Sequence, residues 1–125
     1  MLTPSEIADL IVGTLDNKKA QEIKLLRTRE ITILADFFVI CTASSTVHLK
    51  TLSDEVELKL KASGEQPLRR EGQRTGGWIL IDFGAVVVHL FTKEARDFYT
   101  LERLWGDAED IDITQRIMPI QHVIT

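Results

Sequence analysis

Residues 78–91 read WILIDFGAVVVHLF, and this stretch decides the fold. Two runs of β-branched and aromatic residues flank a Phe-Gly pair at 83–84. That combination predicts two antiparallel strands joined by a two-residue turn, in which glycine takes a positive φ. With the turn at Phe-Gly, Trp78 pairs with His89. The other predicted pairs are Ile79 with Val88, Leu80 with Val87, Ile81 with Val86 and Asp82 with Ala85.

Side chains alternate along a strand, so this hairpin has two different faces. One face is wholly apolar, and we expect it to form the core. It holds Ile79, Ile81, Val86, Val88 and Leu90. The other face is apolar with polar tips, and it holds Trp78, Leu80, Asp82, Val87, His89 and Phe91. We expect this second face to be covered by a helix or used for contact.

Capping signals and apolar spacing place helices and further strands around the hairpin. Thr3 is predicted to cap a helix that has Glu6 in a capping box and ends near Asn17. Ser45 is predicted to cap a second helix that ends at Gly64. Further elements are strands at 22–28 and 36–43, a short strand near 68–70, and short helices after Thr92 and Thr100. With 125 residues, the chain is expected to be a single domain over residues 1–125.

The bulk composition narrows the class of protein. Apolar residues make up 44% and charged residues 27%, as in a globular domain with one core. No apolar run reaches the length of about 18–20 residues that a membrane helix needs, and the first residues do not resemble a signal peptide. The net charge of −4 argues against direct binding to DNA or RNA and favours a basic protein partner. We expect a soluble cytoplasmic protein that does not bind membranes.

Cysteine and histidine usage points to structural roles. The single cysteine, Cys41, excludes an internal disulfide and fits a reducing compartment. It lies in a predicted buried strand, so we expect it to be inert. His48 and His89 are expected to be hydrogen-bonded structural residues, and no metal-ligand spacing or cofactor-binding motif is present.

One arrangement is reminiscent of an enzyme. The sequence TASS at 42–45 follows a strand and opens a helix, as the Gly-Ser element of nucleotidyltransferases does. The sequence DID at 110–112 offers two carboxylates that could hold Mg²⁺. More than sixty residues separate the two, whereas those enzymes place the pair soon after the Gly-Ser element. A solvated acidic tail is therefore the favoured interpretation of AEDID at 108–112.

Three stretches resemble the ribosomal silencing factor family, RsfS, also called Iojap. They are DFFVICTASSTVHLK at 36–50, WILIDFGAVVVHLF at 78–91 and FYTLERLWGD at 98–107. They occur in the family's order and spacing, and the resemblance covers nearly the whole chain. Departures are Ala43-Ser44 in place of Gly-Thr, Gly77 and Ala85 in place of acidic residues, and Thr100 in place of Asn, Asp or Glu. These changes mostly retain capping or turn chemistry.

The resemblance implies an α/β fold in which a mixed β-sheet is flanked by helices, similar to nucleotidyltransferases but without their catalytic carboxylates. It implies a protein that is not an enzyme and carries no cofactor or metal. The implied activity is binding to protein fourteen of the large ribosomal subunit, on the surface where the small subunit docks. A bound silencing factor would sterically block subunit joining and repress translation.

Two alternatives stay open at this point. A nucleotidyltransferase-like enzyme predicts carboxylates on the sheet beside Ser44 and Ser45. An RNA-binding ribosome assembly factor predicts that Arg69, Arg70 and Arg74 contact phosphates, with an affinity that falls steeply with salt.

Trp78 is the predicted centre of the partner-binding site, because its face of the hairpin carries polar tips and the helix after Thr92 returns beside it. Tryptophan, tyrosine and arginine are common anchors of protein interfaces. The residues predicted to flank Trp78 are Leu80, Asp82, Lys93, Arg96 and Tyr99. An exposed apolar surface of this kind also permits a homodimer.

The segment FYTLERLWGD is expected to serve both the core and the partner. Leu101 and Leu104 are predicted to anchor it to the sheet, with Phe98 and Trp105 on the same stripe. Tyr99 and Arg96 are predicted to point elsewhere and to be available for contact.

Overall fold

The computed structural model describes residues 2–28, 35–73, 76–99 and 109–111, with the backbone alone at Gln73, 97–99 and 109–111. The elements in chain order are α1 (Pro4–Asn17), β1 (Gln21–Arg27), β2 (Phe37–Ala43), α2 (Thr46–Ala62), β3 (Arg69–Gln73), β4 (Trp78–Asp82), β5 (Val86–Thr92), α3 (Lys93–Tyr99) and β6 (Glu109–Ile111). These strands form one sheet in the order β3-β4-β5-β2-β1-β6. Strands β2 and β5 run parallel and the other neighbours antiparallel, so the predicted mixed α/β sheet is confirmed.

The turn between β4 and β5 lies one residue later than predicted. The N–H of Phe83 donates to the carbonyl of Val86 at 2.9 Å, which leaves Gly84-Ala85 as the two turn residues. Gly84 has a φ of +89°, as the first position of this turn type requires. The Asp82 carboxylate accepts a hydrogen bond from the N–H of Gly84 at 2.7 Å, which stabilises the turn at this position.

The predicted strand pairs are therefore wrong by two residues, although the predicted faces are correct. Trp78 pairs with Phe91 instead of His89, and Leu80 takes His89 as its partner. A shift of two residues leaves every side chain on its original face, because the side-chain period of a strand is two. Residues Ile79, Ile81, Val86, Val88 and Leu90 lie together in the main core, as expected.

Helices α1 and α2 cover the first face of the sheet. The residues that α1 contributes to the main core recur at helical spacing, as do those of α2. They are Ile7, Ala8, Ile11, Val12 and Leu15 from α1, and Leu49, Leu52, Val56 and Leu60 from α2. Strand β2 is buried along its whole length, as predicted for a strand covered on both faces.

Both predicted helix caps are present. The Thr3 hydroxyl accepts from the N–H of Glu6 at 3.1 Å, and the Glu6 carboxylate accepts from the N–H of Thr3 at 2.8 Å. The Ser45 hydroxyl accepts from the N–H of His48 at 3.0 Å and begins α2. Gly64, with a φ of +87°, follows the end of that helix. Each cap satisfies backbone donors that would otherwise lack a partner, which stabilises a helix by about 1 kcal/mol.

Two predictions about irregular segments need correction. The short strand expected near 68–70 is β3, which begins one residue later and is longer. Residues Glu109–Ile111 form β6 against β1, so the interpretation of this acidic segment as a solvated tail is wrong for these three residues. Pairing with β6 covers backbone groups of β1 that would otherwise lie at an open sheet edge. The short helix expected after Thr100 lies outside the described residues.

Candidate docking face around Trp78

The second face of the sheet carries the predicted partner-binding residues of the hairpin. We call the surface formed by Trp78, Leu80, Asp82, Val87, His89 and Phe91 the Trp78 face. Leu80, His89 and Phe91 are buried there, whereas Trp78, Asp82 and Val87 are half-buried. The Trp78 face therefore has buried residues along its middle, with half-buried Trp78 at one end and half-buried Val87 at the other.

Two glycines, Gly72 and Gly77, lie next to Trp78 and allow close packing there. Gly72 on β3 has a φ of +88°, and a Cβ atom there would lie 3.1 Å from the indole Cε3. Gly77 lies against the first turn of α3, since a Cβ there would be 2.6 Å from the Thr92 hydroxyl and 3.2 Å from the Ala95 Cβ. The chain beside Trp78 thus approaches its neighbours more closely than a side chain would allow.

Helix α3 begins next to Trp78, as predicted. The N–H of Thr92 donates to the carbonyl of Gly77 at 2.8 Å, and the Thr92 hydroxyl accepts from the N–H of Ala95 at 3.4 Å. Ala95 packs against the same small apolar cluster as Trp78 and Val87. Lys93 is exposed at the start of this helix. Lys93 therefore directly follows Thr92, which is hydrogen-bonded to Gly77, the residue before Trp78.

An acidic edge borders the other side of the Trp78 face. Strand pairing puts Glu71 opposite Leu80 and Arg69 opposite Asp82. The Arg69 guanidinium lies 3.1 Å from the Glu71 carboxylate and 3.3 Å from the Asp82 carboxylate. One cation is thus shared by two carboxylates, and a negative charge is left over at this edge.

The prediction that Arg96 points away from the core is wrong. Its side chain is buried, with 6% of the residue exposed. Its Nη1 donates to the Glu22 carbonyl at 2.6 Å and to the Thr42 hydroxyl at 2.8 Å. A charged side chain avoids burial unless it finds such partners, and the beginning of β1 and the end of β2 supply them here.

The predictions about the end of α3 and the segment after it are not settled by the structure. Tyr99 belongs to α3, but its side chain lies outside the described part, as does that of Phe98. Leu101, Leu104 and Trp105 lie wholly outside the described residues.

His89 is a structural histidine, but the prediction that it is hydrogen-bonded is wrong. Within the described residues neither ring nitrogen has a hydrogen-bond partner. The ring packs between Phe38, at 5.0 Å between centroids, and Phe91, at 6.3 Å. Burial lowers the pKa of His89 to about 4, because the cationic form would lose its hydration without gaining a partner.

Three residues on or beside the Trp78 face were not assigned to the site from the sequence. Val87 belongs to the correct face, yet nothing in the sequence showed that it is half-exposed. Ala95 is too small to stand out, and Glu71 reaches this face only through the pairing of β3 with β4. The register between β3 and β4 could not be predicted from the sequence of the loop that joins them.

The enzyme alternative fails on geometry. Asp110 pairs with Leu26, which in turn pairs with Phe38, six positions before Ser44 along the chain. At about 3.3 Å per residue, the carboxylate-bearing strand lies on the order of 20 Å from the serines. Within the ranges that the structure describes, no group of three His, Cys, Asp or Glu side chains could hold a metal ion.

Ser44 and His48, at the start of α2, form hydrogen bonds that hold this helix to the chain that follows α1. The His48 Nδ1 accepts from the Ser44 N–H at 2.9 Å and lies 3.1 Å from the Ser44 hydroxyl. The His48 Nε2 donates to the Lys18 carbonyl at 2.8 Å. The backbone N–H already occupies the single lone pair of Nδ1, so His48 is poorly placed to take a proton from Ser44. This confirms the prediction that His48 is a hydrogen-bonded structural residue.

Cys41 is buried as predicted. Burial raises the pKa of its thiol to about 12 and outweighs the opposing effect of the Arg96 charge. The thiolate, which is the reactive form, is therefore essentially absent at neutral pH.

Two of the three arginines that the RNA-binding alternative requires, Arg69 and Arg70, form ion pairs within the chain. Arg69 is shared by Glu71 and Asp82, as described above. Arg70 donates to the Glu57 carboxylate at 3.0 Å and to the Ser53 hydroxyl at 2.8 Å. Arg74 lies outside the described residues.

No helix in the described part of the chain is long and apolar enough to span a membrane.

Comparison with known proteins places these features in a family. The sequence matches the model of the family described as "Ribosomal silencing factor during starvation" over residues 2–123. It is 37% identical to the ribosomal silencing factor RsfS of Halalkalibacterium halodurans over 112 residues, which cover 90% of this chain and 96% of that protein. It is also 31% identical to the mouse protein named "Mitochondrial assembly of ribosomal large subunit protein 1", over 78% of this chain and 44% of that one.

The fold agrees with solved structures at similar identity. A crystal structure of a protein from Chromobacterium violaceum superimposes with a TM-score of 0.81 at 35% identity, covering 84% of this chain and 88% of that chain. A second, from Bacillus halodurans, gives a TM-score of 0.77 at 34% identity. The sequence relatives carry the names of ribosome regulators, not of enzymes. Because the family match spans nearly the whole sequence, this chain belongs to the ribosomal silencing factor family.

Proposed function

We propose that this protein binds protein fourteen of the large ribosomal subunit through the Trp78 face and so prevents the small subunit from docking. Translation falls because a large subunit that carries this protein cannot join a small one. The protein acts by occupying space and catalyses no reaction. We place this activity in the cytoplasm, where its target is made and used.

The observation that carries the proposal is the half-buried Trp78 at one end of the Trp78 face, with half-buried Ala95 of α3 close to Gly77, the residue before it, and half-buried Val87 at the other end of the same face. Apolar surface that is left open to water and bordered by polar residues often marks an interaction site. Half-exposed apolar residues bordered by charges resemble the anatomy of a protein interface, with an apolar centre and a polar rim. Lys93 and Asp82 fall on this rim, and Leu80 supports it from below.

Charge favours the same type of partner. The chain has a net charge of −4, and the edge formed by Arg69, Glu71 and Asp82 has an excess carboxylate. A basic protein would meet a complementary potential there, which speeds encounter. Nucleic acid would be repelled by the same charge.

The test is binding of purified protein fourteen to this protein, measured by calorimetry for wild type and Trp78→Ala. We expect the substitution to weaken binding by at least about 2 kcal/mol, or about 30-fold, as for a buried aromatic anchor. The matched control is Leu58→Ala, which removes a residue that is 62% exposed on α2, the helix that covers the opposite face. Wild-type affinity is expected for this control.

A subunit-joining assay links binding to function. Large subunits incubated with wild-type protein should form fewer complete ribosomes when small subunits are added, as seen by sucrose-gradient sedimentation. The Trp78→Ala protein should inhibit much less. Equal inhibition by both proteins, or no retention of protein fourteen by the wild type after nuclease treatment of a lysate, would contradict the proposal.

Self-association has to be measured in the same experiments. A homodimer formed through the Trp78 face would compete with protein fourteen for the same surface. In that case sedimentation equilibrium should show a dimer that Trp78→Ala disrupts and Leu58→Ala leaves intact.

A further inference from the structure

We infer that Arg96 is a positioning residue that fixes α3 on the sheet and thereby sets the distance between Lys93 and Trp78 on the docking face. The inference deepens the proposed function and, in its binding arm, rests on it. It replaces the role that the sequence predicted for Arg96, which was direct contact with the partner.

The contacts of Arg96 join three separate parts of the chain. Its Nη1 donates to the carbonyl of Glu22 at 2.6 Å and to the hydroxyl of Thr42 at 2.8 Å. Glu22 belongs to β1 and Thr42 to the end of β2, so one guanidinium ties α3 to two neighbouring strands. Its Nε lies 3.9 Å from the Glu22 carboxylate, which is itself largely exposed.

The backbone of β1 is unusual at the point that Arg96 contacts. The pairing of β1 with β2 shifts register between Gln21 and Lys24, which marks a bulge. Within it Glu22 has a φ of +49°, a left-handed conformation that non-glycine residues rarely adopt. Such strain persists only where surrounding contacts hold it, and the Arg96 hydrogen bond to the Glu22 carbonyl is a contact of that kind.

Helix α3 depends on attachments to the sheet. It has only seven residues, which is too short to be stable alone in water, and it follows β5 without a connecting loop. Its first attachment is the Thr92 cap, and Arg96 supplies a second attachment one turn later. Among the described residues, the other attachments are the Thr92 cap and the packing of Ala95, and both lie in the first turn of the helix, so we expect the helix to shift more freely without Arg96.

Rotation of α3 would change the docking face directly. Gly77, the residue before Trp78, lies so close to Thr92 and Ala95 that a side chain would not fit between them. Lys93 is exposed on the same turn. The position of α3 therefore controls both the setting of Trp78 and the place of the nearest positive charge.

The experiment compares wild type with Arg96→Met and Thr42→Val. Methionine fills a similar volume with an apolar chain, which a buried site tolerates better than an unpaired charge. Valine keeps the shape of threonine and removes only the acceptor hydroxyl. We expect affinity for purified protein fourteen to fall at least about tenfold for Arg96→Met and about threefold for Thr42→Val. Arg96→Lys should recover part of the loss, because an ammonium can reach one acceptor.

A double variant separates positioning from general stability. Thr42→Val should weaken binding in the wild-type background and have no effect in the Arg96→Met background, because the contact has already gone. All measurements are made at least ten degrees below the lowest melting temperature found by circular dichroism. Wild-type affinity in folded Arg96→Met would overturn the inference while leaving the proposed function standing. If Arg96→Met does not fold, Thr42→Val decides in the same way.

Hydrogen exchange of the free protein keeps the inference testable if protein fourteen is not the partner. In Arg96→Met, amides of α3 should exchange at least about tenfold faster, while those of α1 and α2 keep the wild-type rate. Absence of binding by the wild-type protein would contradict the proposed function alone. Unchanged exchange in α3 would overturn the role of Arg96, whatever the partner is.

Discussion

Replacement of His89 by leucine should remove a large part of the acid sensitivity of this protein. The wild-type ring is buried between Phe38 and Phe91, and within the described residues neither nitrogen has a hydrogen-bond partner. Burial lowers the pKa of His89 from 6.5 to about 4. The unfolded chain therefore binds a proton between these two values and the folded chain does not.

The sign and size of the effect follow from that difference. Because the folded pKa is depressed, the contribution to stability is complete above pH 6.5 and is lost as pH falls towards 4. A shift of about 2.5 units corresponds to about 3.4 kcal/mol in total, of which about 2.5 kcal/mol is lost by pH 4.5. In His89→Leu this loss is absent. At neutral pH the variant should be as stable as wild type or more stable by about 1–3 kcal/mol, since two buried nitrogens without partners are removed.

The assay is urea unfolding at several pH values from about 7.5 to 4.5, with wild type and variant measured side by side. Carboxylates titrate in both proteins and cancel in the difference between them. Val56→Ala is the matched control, because it shortens a fully buried side chain of the main core on α2, on the other face of the sheet from His89, and changes no titrating group. Its difference from wild type should stay constant with pH. A His89→Leu difference that changes by less than about 0.5 kcal/mol over this range would refute the reasoning.

Three further predictions test other parts of the structure. Gly72→Ala should destabilise the protein by about 2 kcal/mol or more in thermal unfolding. The φ of +88° strains alanine, and the new Cβ would overlap the Trp78 carbonyl. The control is Gly76→Ala, which has open space around it and should change stability by less than about 0.5 kcal/mol. Thr3→Ala removes the capping box of α1 and should cost about 1 kcal/mol in urea unfolding, and an unchanged midpoint would contradict that role. Cys41 should not react with a thiol reagent such as dithionitrobenzoate at pH 8 in the native protein, because burial raises its pKa to about 12, and should react at once in guanidinium; rapid labelling of folded protein would disprove its burial.

Local chemistry in the sequence predicted the elements and faces well. Thr3 with Glu6 predicted the start of α1, and Ser45 with Gly64 bracketed α2, because caps depend on residues within a few positions. The two faces of the hairpin were correct despite the wrong turn, since alternation along each strand survives a shift of two residues. The turn itself was placed one residue early, because Phe-Gly and Gly-Ala are both compatible with a positive φ at Gly84.

Contacts between distant parts of the chain were not predictable in this way. Arg96 was expected at the surface because its partners, Glu22 and Thr42, lie 74 and 54 positions away in the sequence. Glu71 was missed because it joins the Trp78 face only through strand pairing. His89 was expected to have hydrogen bonds because most buried polar groups do, and it is an exception within the described chain.

The arrangement of the sheet separates the two enzyme-like features of the sequence, TASS at 42–45 and the acidic strand β6. Ser44 and Ser45 lie where β2 ends and α2 begins, a position that would suit a phosphate. The acidic strand β6 pairs with the part of β1 that lies opposite the beginning of β2, so the backbone of β6 lies near the end of β2 that is farther from the serines. The Trp78 face points away from α1 and α2. Its half-buried apolar residues are Trp78 and Val87, with Ala95 beside the face, and Asp82 shares the Arg69 guanidinium with Glu71. Such a surface supplies contact area and charge complementarity, but it supplies neither a nucleophile nor a metal ligand set. The proposed occlusion of a partner surface requires only contact area and charge complementarity.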